Sequence, residues 1–227
     1  MEKARNSPQV PTLAEEMALL SQGFSLIAGL DEAGRGCLAG PVVAAAVILP
    51  LDVDIAEQLK GVRDSKQMTA LARERLFTVI QQCALSVSVG IGSVALIDRR
   101  NILQATRQAM KDALTHLSLT PQALLLDAIS LRDVQLPQVS LIKGDARCLS
   151  IAAASVIAKV TRDRMMLQLH QEYPAYGFHQ HKGYGTPAHL TALQKHGATP
   201  HHRQSFAPVR ALHDLFTDID ETHSNLI

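Results

Sequence analysis

The sequence predicts an α/β fold in which a mixed central β-sheet is flanked by helices. Three strand-like runs lie in the first half of the chain, and later strands alternate with helical segments, as in α/β layer structures. The 227 residues suffice for one well-buried core. Hydrophobic residues make up 47% of the chain and the net charge is +1, which excludes disorder or a coiled coil as the main state.

Residues 1–24 are predicted to form a partly flexible extension that is loosely attached to the domain. The first stretch is polar and contains prolines, and a short helix is expected around Leu13–Leu20. We therefore expect the folded domain to begin at about residue 25.

Cysteine usage and hydropathy favour a soluble, cytoplasmic protein. Cys37, Cys83 and Cys148 are odd in number and share no metal-ligand spacing, so neither a disulfide framework nor a thiolate zinc site is indicated. Polar residues and prolines stand where a secretory signal would be apolar, and no apolar stretch reaches membrane-spanning length. A monomer is expected, because no apolar stripe is left over for a partner.

Five strands are predicted from β-branched or apolar runs bounded by turn residues. In chain order they are Ser25–Leu30, Pro41–Leu49, Leu85–Ile91, Ala123–Leu126 and Val139–Ile142. The third of them alternates serine with valine, which indicates a half-buried strand. The first three strands are expected to form an antiparallel meander.

Two long helices are predicted around the later strands. Asn101 is a suitable cap for a helix through Leu117, because leucine and methionine recur on one face of that segment at helical spacing. Residues 151–171 form a second helix, whose alanines allow close packing on a sheet. Ser155 and Lys159 lie four residues apart and share one face of it.

Charge is distributed unevenly along the chain. From Lys143 to Arg210 there are nine Lys/Arg against three Asp/Glu, whereas Ala211 to Ile227 carries four acids and no Lys/Arg. A basic segment favours an anionic partner. Charges that merely solvate helix faces explain the same count equally well.

Acidic residues follow three of the predicted strands. Asp31 and Glu32 come directly after the first strand, Asp127 follows the fourth, and Asp145 lies just after the fifth. Successive side chains of a strand point to opposite faces, so Asp31 and Glu32 converge only if the chain leaves strand geometry there. The glycines of the next turn permit such a departure.

Carboxylates that meet at one edge of a sheet repel one another unless protons or cations neutralise them. Hard oxygen ligands select Mg²⁺ or Mn²⁺. Two such ions can activate a water and stabilise the leaving oxygen of a phosphoryl displacement, so the acids together indicate a phosphodiester hydrolase. Taken singly, the same acids are better explained as turn residues or helix caps.

Several short motifs occur together in the order and spacing of a known family. They are Asp-Glu-Ala-Gly-Arg-Gly at 31–36, Asp64–Ser65–Lys66, Asn101–Ile102–Leu103, Lys143–Gly144–Asp145, the run Ala153–Asp163 and His181–Lys182–Gly183–Tyr184. Through these motifs the chain resembles the bacterial ribonuclease HII family from about Ile27 to Val209.

The resemblance implies an RNase H-like fold in which residues 25–213 form one catalytic domain, with a helical C-terminal part at about 165–213 and an acidic tail at 214–227. It implies an endonuclease that hydrolyses the RNA strand of RNA–DNA hybrids and cuts 5′ of single ribonucleotides embedded in duplex DNA. Its products carry a 3′-hydroxyl and a 5′-phosphate. The implied partners are RNA–DNA hybrid and ribonucleotide-containing duplex DNA, and the implied cofactors are two Mn²⁺ or Mg²⁺ ions.

The resemblance also assigns roles to single residues. The metal-binding, catalytic acids are Asp31, Glu32, Asp127 and Asp145. The turn that senses the ribose 2′-hydroxyl, the group that distinguishes RNA from DNA, consists of Gly34, Arg35 and Gly36. The resemblance assigns contacts with phosphates to Ser65, Lys66 and Lys182. Tyr184 matches an aromatic that packs on the next sugar and favours a ribonucleotide followed by a deoxyribonucleotide.

One departure and three alternatives accompany this interpretation. Ala128 stands where the family usually has a glycine after the third acid, so this loop is expected to differ. His196, His201 and His202 suggest a zinc site, but no second ligand set accompanies them. A binding module with structural acids is disfavoured because all four acids are present. A small-ligand enzyme is disfavoured because the chain has no phosphate-loop or dinucleotide fingerprint.

Overall fold

The structure, a computed structural model, describes residues 10–52 and 54–212 of the chain. Its strands are β1 (Ile27–Ala33), β2 (Val42–Ile48), β3 (Ser86–Gly92), β4 (Ala123–Asp127) and β5 (Gln138–Leu141). Its helices are α1 (Ala14–Leu20), α2 (Ile55–Gln58), α3 (Ala70–Cys83), α4 (Val94–Arg100), α5 (Ile102–Thr115), α6 (Leu149–Glu172), α7 (Phe178–His181) and α8 (Pro187–His196). Short 3₁₀ helices lie at Ser65–Gln67, Gly144–Ala146 and Pro174–Tyr176.

The five strands form one mixed sheet in the order β3-β2-β1-β4-β5. β1 and β2 pair antiparallel, as do β2 and β3, which confirms the predicted meander. The strands β1, β4 and β5 run parallel to one another. The carboxyl ends of β1, β3, β4 and β5 therefore share one edge of the molecule.

Helices cover both faces of this sheet. α6 and α3 pack on one face, where they enclose alternate residues of β2 such as Ala45 and Val47. α5 covers the other face, against Ala44 and Ala46. This alternation explains why every residue of β2 is buried. A Cβ at Gly29 of β1 would lie 2.3 Å from the main chain of α6, so only glycine allows this close approach.

The predicted strands and the two long helices agree with the observed elements to within about three residues. Asn101 caps α5 as predicted, because its side chain accepts a hydrogen bond from the Gln104 N–H at 3.1 Å. α3 was not predicted. It buries only three side chains, and its segment Phe77–Ile80 is rich in residues that favour strands.

The N-terminal segment is tied to the domain from about residue 12 onward, which differs from the loose attachment expected for it. Thr12 forms a β-bridge with Cys148, and Leu19 of α1 is buried. The fully buried Glu16 accepts a hydrogen bond from the Ser150 N–H at 2.8 Å, in the first turn of α6. α6 has no side-chain cap of its own at Cys148, so α1 supplies one.

The segment from the end of α6 to residue 212 is largely helical. Its α7, α8 and a further helical stretch at 207–212 enclose a core that includes Phe178 and Leu193. Residues 1–9 and the predicted acidic tail at 214–227 lie outside the described residues. Within residues 10–52 and 54–212, no helix combines the length and apolar character needed to cross a membrane.

Candidate active site

Three aspartates from three strands meet at the carboxyl edge of the sheet. Asp31 lies near the end of β1, Asp127 is the last residue of β4, and Asp145 lies in the 3₁₀ helix after β5. Each offers a carboxylate oxygen within 4.8 Å of the others. Among the residues that the structure describes, this is the one group of three or more His, Cys, Asp or Glu side chains whose ligand atoms converge.

Glu32 does not belong to this trio, because β1 continues past it. Asp31 pairs with Ala45, Glu32 with Ala44 and Ala33 with Val43, so the expectation that the chain leaves strand geometry at the acids is wrong. Side chains alternate along a regular strand, so Asp31 and Glu32 point to opposite sides. Glu32 still lies close enough to Asp127 that, after burial, this charge helps to raise its pKa, and it accepts a hydrogen bond from Arg35 at 3.0 Å.

Backbone geometry fixes the other two acids. Asp127 accepts a hydrogen bond from the Gly144 N–H at 2.8 Å, which ties the end of β4 to the 3₁₀ helix that carries Asp145. Ala128 has a φ of 51°, and Lys143 has a φ of 55°. Both are left-handed conformations, which cost about 1–2 kcal/mol for a residue with a Cβ. A glycine, which the family usually has at position 128, would avoid that cost.

The acids destabilise one another's charges. Burial, followed by the charges of Glu32 and Asp127, raises the pKa of Asp31 well above its usual value. Burial also raises the pKa of Glu32. The pKa of Asp145 is raised to about 6, first by burial and then by the charges of Asp64 and Asp127. Every one of these shifts would be reversed by positive charge placed among the carboxylates.

The donor set fits a hard divalent cation. Asp31 is 3% exposed, and its Oδ2 has no hydrogen-bond partner within the described part of the chain. The buried Oε2 of Glu32 is also without a partner there. Buried carboxylate oxygens are costly to leave unsatisfied, and oxygen-only donor sets suit Mg²⁺ or Mn²⁺. Asp31, Asp127 and Asp145 would hold such ions, with Glu32 beside them.

A cavity of about 350 Å³ opens beside the acids and brings most of the predicted substrate residues together. Its lining includes six of the seven residues assigned to substrate: Gly34, Arg35, Gly36, Ser65, Lys66 and Tyr184. Lys182 is not in the lining; its Nζ donates to the carbonyl of His179. Lys66 faces the acids. Burial lowers its pKa, but the charges of Asp31 and other carboxylates outweigh burial and raise it.

Three side chains at the site were not among the predicted site residues. Lys159 lines the cavity, pairs with Asp163 at 2.7 Å and lies 5.9 Å above the ring of Tyr184. The buried Ser155 shares a 2.8 Å hydrogen bond with Ser65 and lowers the pKa of Asp31. Asp64 faces Asp145. One sign in the sequence linked Ser155 with Lys159: they lie four residues apart, on the same face of a predicted helix.

A buried arginine holds the backbone of the glycine turn. Arg203 is fully buried and donates to the carbonyl of Gly34 at 2.6 Å, of Arg35 at 2.8 Å and of Gly40 at 3.0 Å. Burial lowers its pKa to about 10. No motif in the sequence pointed to this residue, because its partners are main-chain atoms about 165 residues earlier in the chain.

A second buried arginine supports the same turn from α6. Arg162 donates to three carbonyls, at 2.9–3.0 Å: those of Ala39, Pro41 and Lys182. Gly34 has a φ of 95°, and a Cβ on it would lie 1.9 Å from the Arg162 Nε. Glycine is therefore required at position 34 by both backbone conformation and packing.

The histidines form a buried hydrogen-bond chain that ends at Tyr184. The Thr199 N–H donates to His202 Nδ1 at 3.0 Å, so His202 carries its proton on Nε2 and donates to His189 Nε2, also at 3.0 Å. His189 Nδ1 then donates to the Tyr184 carbonyl at 2.9 Å. Each ring thus accepts one hydrogen bond through an unprotonated nitrogen, and burial, followed by His189, lowers the pKa of His202 to about 4. These hydrogen bonds link the 199–202 segment to the backbone of Tyr184 and hold the two together.

Comparison with known proteins relates the chain to one family. The family model described as Ribonuclease HII matches residues 28–209. A Ribonuclease HII of Chloroflexus aggregans is 53% identical over 206 residues, which cover 90% of this chain and 97% of that protein. A Ribonuclease HII of Geobacillus kaustophilus is 57% identical over 195 residues, or 86% of this chain and 73% of that protein.

The fold agrees as well. The crystal structure of ribonuclease H2 from Pyrococcus horikoshii superposes with a TM-score of 0.71 at 29% identity, over 84% of this chain and 98% of that one. This match confirms the RNase H-like fold, and the family model covers residues 28–209, from β1 to the helical C-terminal part. The chain therefore belongs to the ribonuclease HII family and is an endoribonuclease of the ribonuclease H class.

Proposed function

We propose that this protein hydrolyses the RNA strand of RNA–DNA hybrids and also cuts 5′ of single ribonucleotides embedded in duplex DNA, leaving a 3′-hydroxyl and a 5′-phosphate. The observation that carries the proposal is the convergence of Asp31, Asp127 and Asp145 beside a cavity lined by a glycine turn and basic side chains. Membership of the ribonuclease HII family supports the reaction type.

We assign the binding of two Mg²⁺ or Mn²⁺ ions to the four acids. Bound there, the ions would supply a Lewis acid that activates water and stabilises the charge on the leaving oxygen. Asp31 is the acid best placed to contact both ions, since the charges of Glu32 and Asp127 both act on it. Lys66 and Lys159 line the same cavity and would contact the phosphates of the RNA strand.

The turn Gly34–Gly36 would read the ribose 2′-hydroxyl through its backbone. Arg203 donates hydrogen bonds to the carbonyls of Gly34 and Arg35. By contrast, no described residue accepts a hydrogen bond from the N–H of Arg35 or Gly36. Free N–H groups on a fixed turn can donate to a hydroxyl that only RNA carries. Tyr184, 38% exposed at the cavity, would pack on the following sugar.

The test is cleavage of a DNA duplex that carries one ribonucleotide, with Mg²⁺, with Mn²⁺ and with chelator. Matched duplexes carry deoxyribonucleotide or 2′-O-methyl ribonucleotide at the same position. We expect metal-dependent cutting on the 5′ side of the ribonucleotide alone. Folded protein that binds this duplex but leaves it intact under every metal condition would favour a binding module instead.

We further propose that the protein acts as a cytoplasmic monomer. Its cysteines, Cys37, Cys83 and Cys148, are all unpaired, which suits a reducing compartment. Sedimentation equilibrium over a range of protein concentrations tests the oligomeric state, and we expect one species of 24.6 kDa.

A further inference from the structure

A second cavity, of about 440 Å³, lies on the face of the sheet that α5 covers. α4 contributes Arg99 and Arg100 to its lining, α5 contributes Arg107 and Lys111, and the loop between β4 and β5 contributes Asp133. We call this cavity the basic cleft. Four cationic side chains thus face one acid. The basic cleft lies outside the basic segment that the sequence indicated, because its charges are spread over two helices.

The cations of the basic cleft are largely without counter-ions. Lys111 pairs with Asp133 at 3.4 Å, but no acid within residues 10–52 and 54–212 forms a salt bridge with Arg99, Arg100 or Arg107. The Nε of Arg107 is buried and makes no hydrogen bond to any described residue. A buried guanidinium nitrogen without a protein partner is uncommon, and a water or an anion beside it would satisfy it.

Helix electrostatics explain only part of this cluster. Arg99 and Arg100 lie in the last turn of α4, where cations interact favourably with the helix dipole. Arg107 and Lys111 lie in the interior of α5, one turn apart, where no such effect acts. The helix dipole therefore does not explain why four cationic side chains surround one cavity.

The basic cleft begins near the carboxyl edge of the sheet, where the acids lie, and extends along α5 over the face opposite α6. α4 begins two residues after β3 ends, and Gly92, the last residue of β3, pairs with Val42 next to the end of β1. Asp98 of α4 accepts hydrogen bonds from the N–H groups of Gln204 and Ser205 at 3.1 and 2.9 Å. These residues directly follow the arginine that holds the glycine turn.

We propose that the basic cleft binds the phosphate backbone of the substrate duplex, beyond the nucleotide at which the acids cut. This inference rests on the proposed function, since it extends the substrate contact of the same enzyme. Arg107 and Lys111 are separated by about 6 Å along α5, and phosphates of one strand advance about 3.4 Å along the duplex axis. The basic cleft can therefore neutralise about two phosphates of one strand.

The test measures duplex binding in chelator, so that no cleavage occurs. Two asymmetric duplexes carry the same ribonucleotide: one has about 15 base pairs upstream and about 5 downstream, and the other reverses this, so each reaches about 50 Å to one side. The variant combines Arg100→Gln with Arg107→Gln. Arg75→Gln, an exposed arginine of α3 on the opposite face of the sheet, is the matched control.

We expect the double variant to bind one of the two duplexes about 5- to 20-fold more weakly, and the other within about twofold of wild type. On the affected duplex, the slope of log Kd against log salt should fall by about 1 to 2, one unit per lost phosphate contact. The control should match wild type on both duplexes. Thermal unfolding of the double variant should also match wild type, because neither arginine has a protein partner among the described residues.

Two results would overturn the inference: wild-type binding of both duplexes by the double variant, or equal weakening on both with an unchanged salt slope. Failure of the proposed function is a separate outcome. It would appear as wild-type protein that binds these duplexes in chelator but does not cut them when Mg²⁺ or Mn²⁺ is added.

Discussion

Asp31 combines burial, an unpartnered carboxylate oxygen and two acidic neighbours, and each of these raises the cost of its negative charge. Such a group weakens the fold when no cation is bound. Proteins commonly accept that cost where the group has a chemical task. Substitutions at the acids should therefore affect the activity and the stability of the protein in different ways.

The substitution Asp31→Asn should lower the rate of hybrid cleavage by about 10³-fold or more, equivalent to about 4 kcal/mol, because it removes a charge that holds the cations. Binding of the same hybrid in chelator should remain within about threefold of wild type. Steady-state kinetics and fluorescence anisotropy measure the two effects. Asp54→Asn, at an exposed position, serves as the control. Wild-type cleavage by the Asp31 variant would refute the proposed cation site.

Ala128 allows a test of backbone strain at the site. The substitution Ala128→Gly should stabilise the protein by up to about 1 kcal/mol, because glycine adopts the φ of 51° without steric cost, although its extra freedom when unfolded offsets part of the gain. Chemical denaturation measures the change. Ala128→Val is the opposite control, since a β-branched residue suits this φ least. A less stable glycine variant would show that the strain is negligible.

At the scale of elements, residues from distant parts of the chain supply hydrogen bonds that a helix or a turn does not make locally. α6 lacks a side-chain cap, and Glu16 of α1 supplies it. The glycine turn lacks partners for its carbonyls, and Arg203 supplies them. In both cases the hydrogen bonds join residues that lie more than 100 positions apart in the chain.

Glu16→Gln should destabilise the protein by about 1 kcal/mol, since it removes a charge that complements the N-terminal dipole of α6. Glu15→Gln on the same helix breaks only a partly exposed ion pair with Arg147, and should cost less than about 0.5 kcal/mol. Urea denaturation of both variants compares them. If the two losses were equal, the charge of Glu16 would be shown to add nothing to its capping of α6.

Arg203→Lys should destabilise the protein by about 2–4 kcal/mol, because one ammonium cannot replace the guanidinium fork that reaches three carbonyls. Well below its unfolding temperature, the variant should also lose discrimination between ribonucleotide and deoxyribonucleotide substrates. Arg210→Lys, an exposed exchange in the same segment, should change neither property. Discrimination equal to wild type would show that the turn does not depend on Arg203.

Local patterns predicted much of the fold and the centre of the site. The strands could be predicted because apolar or β-branched runs between turn residues mark them, and the acids could be predicted because each follows such a run. The roles of Glu16 and Arg203 could not be predicted from the sequence, since their main-chain partners are brought close only by the tertiary fold. Arg162 lies within the motif Ala153–Asp163, but its carbonyl partners were equally hidden. α3 was missed because its buried stripe is narrow.

At the scale of the whole molecule, two sets of groups oppose each other between about pH 4 and 6. The pKa of His202 is lowered to about 4, so its unfolded form binds the extra proton and stability rises with pH in this window. The pKa of Asp145 is raised to about 6, so its folded form binds the extra proton and stability falls with pH. Asp31 acts in the same direction as Asp145.

Asp145→Asn should therefore make the slope of unfolding free energy against pH more positive, by on the order of 1 kcal/mol per pH unit between pH 4 and 6. Urea denaturation in chelator at a series of pH values measures the slope. Asp54→Asn should leave the slope as in wild type. An unchanged slope in the Asp145 variant would show that Asp145 takes up no extra proton on folding.

The link between Arg203 and Gly34 also has a consequence during synthesis. The two residues lie 169 positions apart, so the glycine turn and its arginine are made at different times. At about 5–20 residues per second, a ribosome needs about 8–34 s to pass from one to the other. Asp31, Glu32, Asp127 and Asp145 are all translated before Arg203. A nascent chain can thus carry every acid while the turn that would recognise RNA is still without its support, so recognition is completed last.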